Sequence, residues 1–411
     1  MRVLYSTMMT IRTRICCNLD QPMFASLAIA LRYAAVRRQF ATIDKSREER
    51  QILDYQTLQH ILVPELSKAF VQSTVARYIR DSFREMMKGI ENFNFSAMDS
   101  MHHILSGFKA KFSDEACFSI DKCRRSTGGA GFASHSGFSD IYYNTSPQPT
   151  FEGDNTVLLL QATKFVFKLV KQAKKDPSKT LPFPFSYISE IDKLLSISGK
   201  GKSVDEVMDL DVLSGALAVR AAYLIKNTVQ AVSESHEPER IKDNELFAQM
   251  KIDMVKAHVN HLTFTVYRQQ VESQAWKDSR IKPLLLELGR IWAINSIMEN
   301  VGPIFDAGYF APSVSMRMNE ALDIMVRKLR PQLIPLVELK AASDLVVPTN
   351  IGNSYGDIYE TQLEWAKDSS MNHYDKDGVP PQWEEYIKPF LHDEPPVKHP
   401  KNLPKTVLAK L

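Results

Sequence analysis

The sequence predicts an all-α protein: a four-helix bundle followed by a second α-helical domain. Three observations carry this. Apolar residues recur at i, i+3, i+4 spacing through long runs. No segment alternates apolar and polar residues as a half-buried sheet would. Glycine clusters fall where the helical runs would have to stop. With 411 residues, 44% apolar and 24% charged, the chain can bury two cores.

Each helix has its own signature. Phe24, Leu27, Ala28, Leu31 and Ala35 define a first helix ending near Phe40, which Pro22 kinks or restarts. A second helical segment covers roughly Glu48 to Ile90 and bends near Pro64. A third runs from about Ala97 to Arg125 and is stopped by Gly128, Gly129 and Gly131. Pro147 and Pro149 predict an extended break. A fourth helix follows, capped by Asp154 or Asn155, with Leu158, Ala162, Phe165 and Leu169 on one face. These four make a bundle over 1–175.

Residues 176–203 are rich in Lys, then Pro and Phe, and end Gly199-Lys200-Gly201-Lys202-Ser203, which predicts a flexible linker. A phosphate loop would need glycine where Ser196 stands. A second helical domain over 204–395 is expected from Leu246, Met250, Met254 and Ala257, and from Leu284, Leu288 and Ile291. From Val347 onward Pro, Gly and aromatic residues predict an irregular surface segment. A basic tail, 396–411, closes the chain.

Composition excludes several functions. A net charge of +3 is too small to argue for nucleic acid. Four cysteines in so long a chain form no disulfide framework and read as reduced intracellular thiols. His102-His103 and His258/His261 lack the partners of a zinc site and read as surface or core histidines, so no metal is expected. There is no apolar run of ~18 residues, the length a membrane-spanning helix needs. Arg2, Arg12 and Arg14, with no acid before Asp20, fit a presequence or the first helix; the apolar spacing that follows favours the helix. Ala409-Lys410-Leu411 fits the peroxisomal address, with Ala in place of the usual Ser.

Three stretches stand out chemically. Tyr33 to Phe40 is either a basic helix end favoured by the dipole or an arginine site for phosphate with Phe40 packing a ring. Cys123 to Phe132 is either a helix cap with a turn or a backbone that a ligand must approach closely. Phe151-Glu152-Gly153-Asp154-Asn155-Thr156 places a carboxylate at the mouth of an apolar helix. An exposed glutamate there would be only a dipole partner. A desolvated one is placed to act as a general base.

Together these stretches resemble the acyl-coenzyme A oxidases, the peroxisomal branch of the acyl-CoA dehydrogenase superfamily. Ala30 to Gln39, Cys123-Arg124 before the double glycine, and Phe151 to Val157 are similar to that family's wording; Gln51 to Gln56 and Tyr359 to Lys367 are similar too. The resemblance implies the family's C-terminal four-helix bundle and second helical domain. It identifies Glu152 as the base and FAD as the cofactor. Arg37, Gln39 and Phe40 would lie at the flavin diphosphate, commonly that of the partner subunit of a homodimer. Gly128 and Gly129 would lie beside the adenine end, and Asp154 near the cofactor. Ala41, Arg125 and Ala130 depart from the family pattern and bear on the finer flavin contacts.

The implied reaction is α,β-dehydrogenation of a fatty acyl-CoA to the trans-2-enoyl-CoA, with O2 reduced to H2O2. The family's N-terminal α and middle β domains precede the point where Met1 stands. Three expectations follow: a truncated oxidase, a dehydrogenase-type relative that passes electrons to a protein, or a non-catalytic helical partner of full-length oxidase subunits.

Overall fold

The computed structural model describes residues 2–41, 48–369, 372, 378–379 and 383–391. The elements of its first half are α1 (Arg2–Asn18), α2 (Asp20–Val36), β1 (Arg38–Ala41), β2 (Glu49–Gln51), α3 (Gln56–Glu91), α4 (Met98–Ser126), α5 (Phe138–Thr145) and α6 (Asn155–Lys175). There follow α7 (Ile191–Leu195), α8 (Val204–Val207), α9 (Leu210–Glu234), α10 (Glu239–Ile241), α11 (Ala248–Ser273), α12 (Ile281–Glu299), α13 (Gly302–Asp306), α14 (Val314–Leu329) and α15 (Leu333–Glu338). Residues 1–356 form one compact unit. Residues 357–411 form another, whose described part holds α16 (Ile358–Asp368) and α17 (Lys388–Leu391). Ala409-Lys410-Leu411 lie outside the described residues.

The all-α expectation holds, with local corrections. Pro22 restarts the chain rather than kinking it: it sits in the first turn of α2, where a missing N–H costs no helical bond. That helix ends at Val36, not Phe40, because Arg38–Ala41 pairs antiparallel with Glu49–Gln51. Pro64 lies inside a single helix of 36 residues. The helix α5 was not anticipated. Pro147 and Pro149 lie in successive turns, not an extended stretch: Thr150 and Phe151 N–H both donate to Pro147 O. The 176–203 segment is packed rather than flexible, since its Phe185, Tyr187 and Ile188 are buried. Composition alone could not show that these rings find a core.

The core is centred on α4, which packs on α1, α2, α3 and α6. Its Leu105, Phe108 and Phe112 are fully buried; each such side chain contributes about 1.5–3 kcal/mol. The later helix α11 reaches the same core, packing on α3, α4, α6 and α9. At Gly107 a Cβ would lie 2.6 Å from Val259 Cγ2, so the crossing of α4 and α11 requires a residue without a side chain.

A buried polar chain also joins these helices. His103 Nδ1 lies 3.1 Å from Ala162 O, which can only accept. His103 Nε2 therefore accepts from His258 Nε2 at 2.9 Å, and His258 Nδ1 accepts from Tyr187 Oη at 2.5 Å. Every ring nitrogen of the pair is satisfied with both imidazoles neutral. Burial pushes His103 down to about 3 and His258 well below its ordinary value.

Candidate functional site

Two buried cations fold the Glu152 segment inward. Lys109, on the apolar face of α4, is fully buried. Its ammonium donates to Pro149 O (3.0 Å), Gly153 O (2.7 Å) and Asn155 Oδ1 (2.9 Å). Burial pushes it down to about 8. Arg12, on α1, is 4% exposed and donates from Nε to Glu152 O at 3.0 Å.

The two residues after Gly153 divide the capping work that either could have done. Asp154 Oδ1 accepts from Thr156 N (2.9 Å) and Val157 N (3.4 Å), which caps α6. Asn155 is buried, and its Nδ2 lies within hydrogen-bond distance of Ala110 O, Ser113 Oγ and Asp114 Oδ1 on α4.

Glu152 itself has φ 57, in the left-handed region that residues with a Cβ rarely occupy, and Gly153 has φ 112. The Glu152 side chain is half-buried. Among the described residues its carboxylate makes no hydrogen bond or ion pair. Phe151 and Val157, beside it in sequence, are 42% and 49% exposed. The arrangement fixes a backbone, leaves the Glu152 carboxylate without a hydrogen bond or ion pair among the described residues, and sets apolar surface nearby.

The other expected site residues lie elsewhere. Arg37 caps the end of α2, with its Nη2 3.4 Å from Gln39 Oε1. Gln39 O accepts from Tyr55 Oη (2.8 Å), and Phe40, with φ 64, is 68% exposed. Gly128 and Gly129 begin a 3-10 turn just after α4. About 25 Å of helix separates Lys109 from the end of α4, at 1.5 Å per residue. The chain therefore does not gather Glu152 and the glycines into one pocket. Among the described residues no group of three His, Cys, Asp or Glu could hold a metal ion.

The glycines have different reasons to be glycine. A Cβ on Gly128 or Gly129 meets nothing within 4 Å, although Gly128 has φ 61. A Cβ on Gly131 would lie 2.2 Å from Thr127 Oγ1 and 2.4 Å from Arg124 O. Gly131→Ala should cost about 1–3 kcal/mol in urea unfolding. Gly129→Ala should stay within about 0.5 kcal/mol. Equal losses would contradict this packing.

Sequence reasoning assigned Lys109 no role, placed Arg12 only in the first helix and offered Asn155 only as an alternative cap. A signal existed for the first two. Lys109 follows Leu105 by four positions and precedes Phe112 by three, which puts a lysine on an apolar stripe; Arg12 likewise lies between Met9 and Cys16.

Comparison with known proteins agrees with this fold. Residues 5–167 match the family model described as acyl-CoA oxidase, C-alpha1 domain, and residues 209–392 match that for acyl-CoA oxidase. The chain is 27% identical over 395 residues to peroxisomal acyl-coenzyme A oxidase 1 of Rattus norvegicus, covering 95% of this chain and 58% of that protein. It thus spans little more than half the length of that relative. Arabidopsis thaliana acyl-CoA oxidase 1 superposes with a TM-score of 0.88 at 24% identity, over 96% of this chain and 58% of that one. Caenorhabditis elegans acyl-CoA oxidase-2, solved with FAD, ascaroside-CoA and ATP, superposes with a TM-score of 0.83 at 25% identity, over 95% of this chain and 56% of that one.

Proposed function

Because this chain belongs to the acyl-CoA oxidase family, we propose that it is the base-bearing part of a fatty acyl-CoA oxidase of peroxisomal β-oxidation, acting as a homodimer. The net reaction is acyl-CoA plus O2 to trans-2-enoyl-CoA plus H2O2. The observation that supports it most is Glu152: its backbone is held in the left-handed region while its carboxylate stays unpaired.

An α-carbon proton is weakly acidic. A carboxylate removes it only when correctly placed against a polarised thioester. In this reading Glu152 takes the α-proton, and Phe151 and Val157 help exclude water. The residues present fit FAD: Arg37 and Gln39 would face the diphosphate, Phe40 offers an exposed ring, and the open backbone at Gly128 and Gly129 admits close approach. Asp154 would lie near the cofactor while capping α6. When bound, FAD supplies the acceptor for the β-hydrogen as hydride. The 1–175 bundle carries these residues, 176–203 joins it to a second helical domain over 204–395, and 396–411 bears the targeting tripeptide.

Two assays test this. A protein carrying this chain together with an N-terminal portion of the kind its relatives possess should bind FAD and release H2O2 in step with palmitoyl-CoA. The 1–411 chain alone should do so weakly, because it supplies only part of an active site. Turnover that reduces a protein acceptor without H2O2 would replace the oxidase reading with a dehydrogenase; FAD-free, inactive protein in both forms would replace it with a helical partner. Deleting Leu411 from a tagged protein should release it from peroxisomes, and retention would overturn the address.

A further inference from the structure

We propose that Lys109 and Arg12 are positioning residues that aim Glu152, by holding from the interior the carbonyl groups around it. The inference rests on Glu152 being the base.

Among the described residues no carboxylate lies within ion-pair distance of either cation, although both are almost wholly buried. Asp114 and Asp154 act on Lys109 only from further off. A buried charge without a counter-ion is costly unless several dipoles converge on it. Here they come from one segment: Lys109 takes the carbonyls of Pro149 and Gly153 and the Asn155 amide, and Arg12 takes the carbonyl of Glu152. Among the described residues the hydrogen-bond partners of the other Arg12 nitrogens are His102 Nδ1 (3.5 Å) and Met8 Sδ (3.7 Å).

The consequence is conformational. Glu152 and Gly153 both have positive φ. Holding a non-glycine residue there costs on the order of 1–3 kcal/mol and lasts only where the surroundings over-determine it. Inward-turned carbonyls at 152 and 153 supply that constraint. Released, Glu152 would relax to negative φ and its carboxylate would swing away from its present direction.

Hydrogen exchange of the 1–411 chain tests this. The reporter amides are Phe151, which donates to Pro147 O, and Asn155, which donates to Pro149 O, the same carbonyl that Lys109 holds. In Lys109→Met and in Arg12→Gln the peptide 150–156 should exchange at least about 10-fold faster. Leu105→Ala, a cavity on the same helix, should not single out that peptide.

A pH profile separates a direct hold from general loosening. The groups facing Lys109 are Cys16 and Arg12 from α1, Asp114 on its own helix, and Asp154 from the segment. Its ordinary value is near 10.4 and its folded value about 8, so an opening that frees Lys109 takes up a proton between them. The opening equilibrium of 150–156, corrected for chemical exchange, should therefore fall about 40-fold from pH 8 to 10 in wild type. In Lys109→Met it should be flat.

Folded variants with unchanged exchange at 150–156 would overturn the proposal. If Lys109→Met fails to fold, the wild-type pH profile decides, and a flat one is fatal. Glu152→Gln should leave exchange unchanged; were it also to retain turnover, the base reading would fail while the clamp stood.

Discussion

Glu152→Gln is expected to lower palmitoyl-CoA turnover by about 10²- to 10⁴-fold, the usual contribution of a positioned general base, and to leave FAD binding intact. The substitution keeps the shape of the side chain and removes its capacity to take a proton. The Glu152 carbonyl stays on Arg12 and the Asp154 cap stays on α6. The fold should thus be unaffected, and the loss should fall on kcat. Turnover is measured by H2O2 release in the protein that carries the N-terminal portion, with the flavin spectrum as control. Wild-type turnover in the variant would remove Glu152 from the chemistry. Glu152→Asp keeps the charge but withdraws it by a methylene; a displacement of about 1 Å can cost 100-fold.

The second large effect concerns acid. His103, His258 and His261 are buried, and burial holds all three well below the ordinary histidine value, the first and last at about 3. In the unfolded chain each binds a proton near pH 6.5. Below that pH the unfolded state holds more protons, so stability is fully present above about 6.5 and is lost as pH falls toward the folded values. From pH 7 to 5.5 the three should cost about 4 kcal/mol, before most carboxylates titrate. That is a large share of the ~5–15 kcal/mol by which domains are stable. Urea unfolding at stepped pH measures it, and a flat profile over that window would show the histidines are not buried neutral.

The presence of α3, α4, α6, α11 and α12 was legible in the sequence, because helical periodicity is local: a window of four or five turns carries it. The helices α9 and α14 were not singled out, and α3 starts at Gln56 rather than Glu48 because Glu49–Gln51 is a strand. Tyr33–Phe40, Cys123–Phe132 and Phe151–Thr156 could be singled out as candidates because each is continuous in sequence. The end of α2 was misplaced because Arg38–Ala41 is drawn away from the helix by a strand more than seven residues further on. The packed state of 176–203 was hidden for a similar reason: its rings are buried by helices on both sides of it in sequence.

The sequence by itself determined that Glu152 precedes a capped apolar helix and that the chain is helical. Only the tertiary structure decided what holds Glu152. Its carbonyl is bound by Arg12, 140 residues away, and its neighbour's by Lys109, 44 residues away. Hydrogen bonds at such separations leave no periodicity to read. They arise when packing brings two cations to one segment, and burial makes those cations depend on its carbonyls.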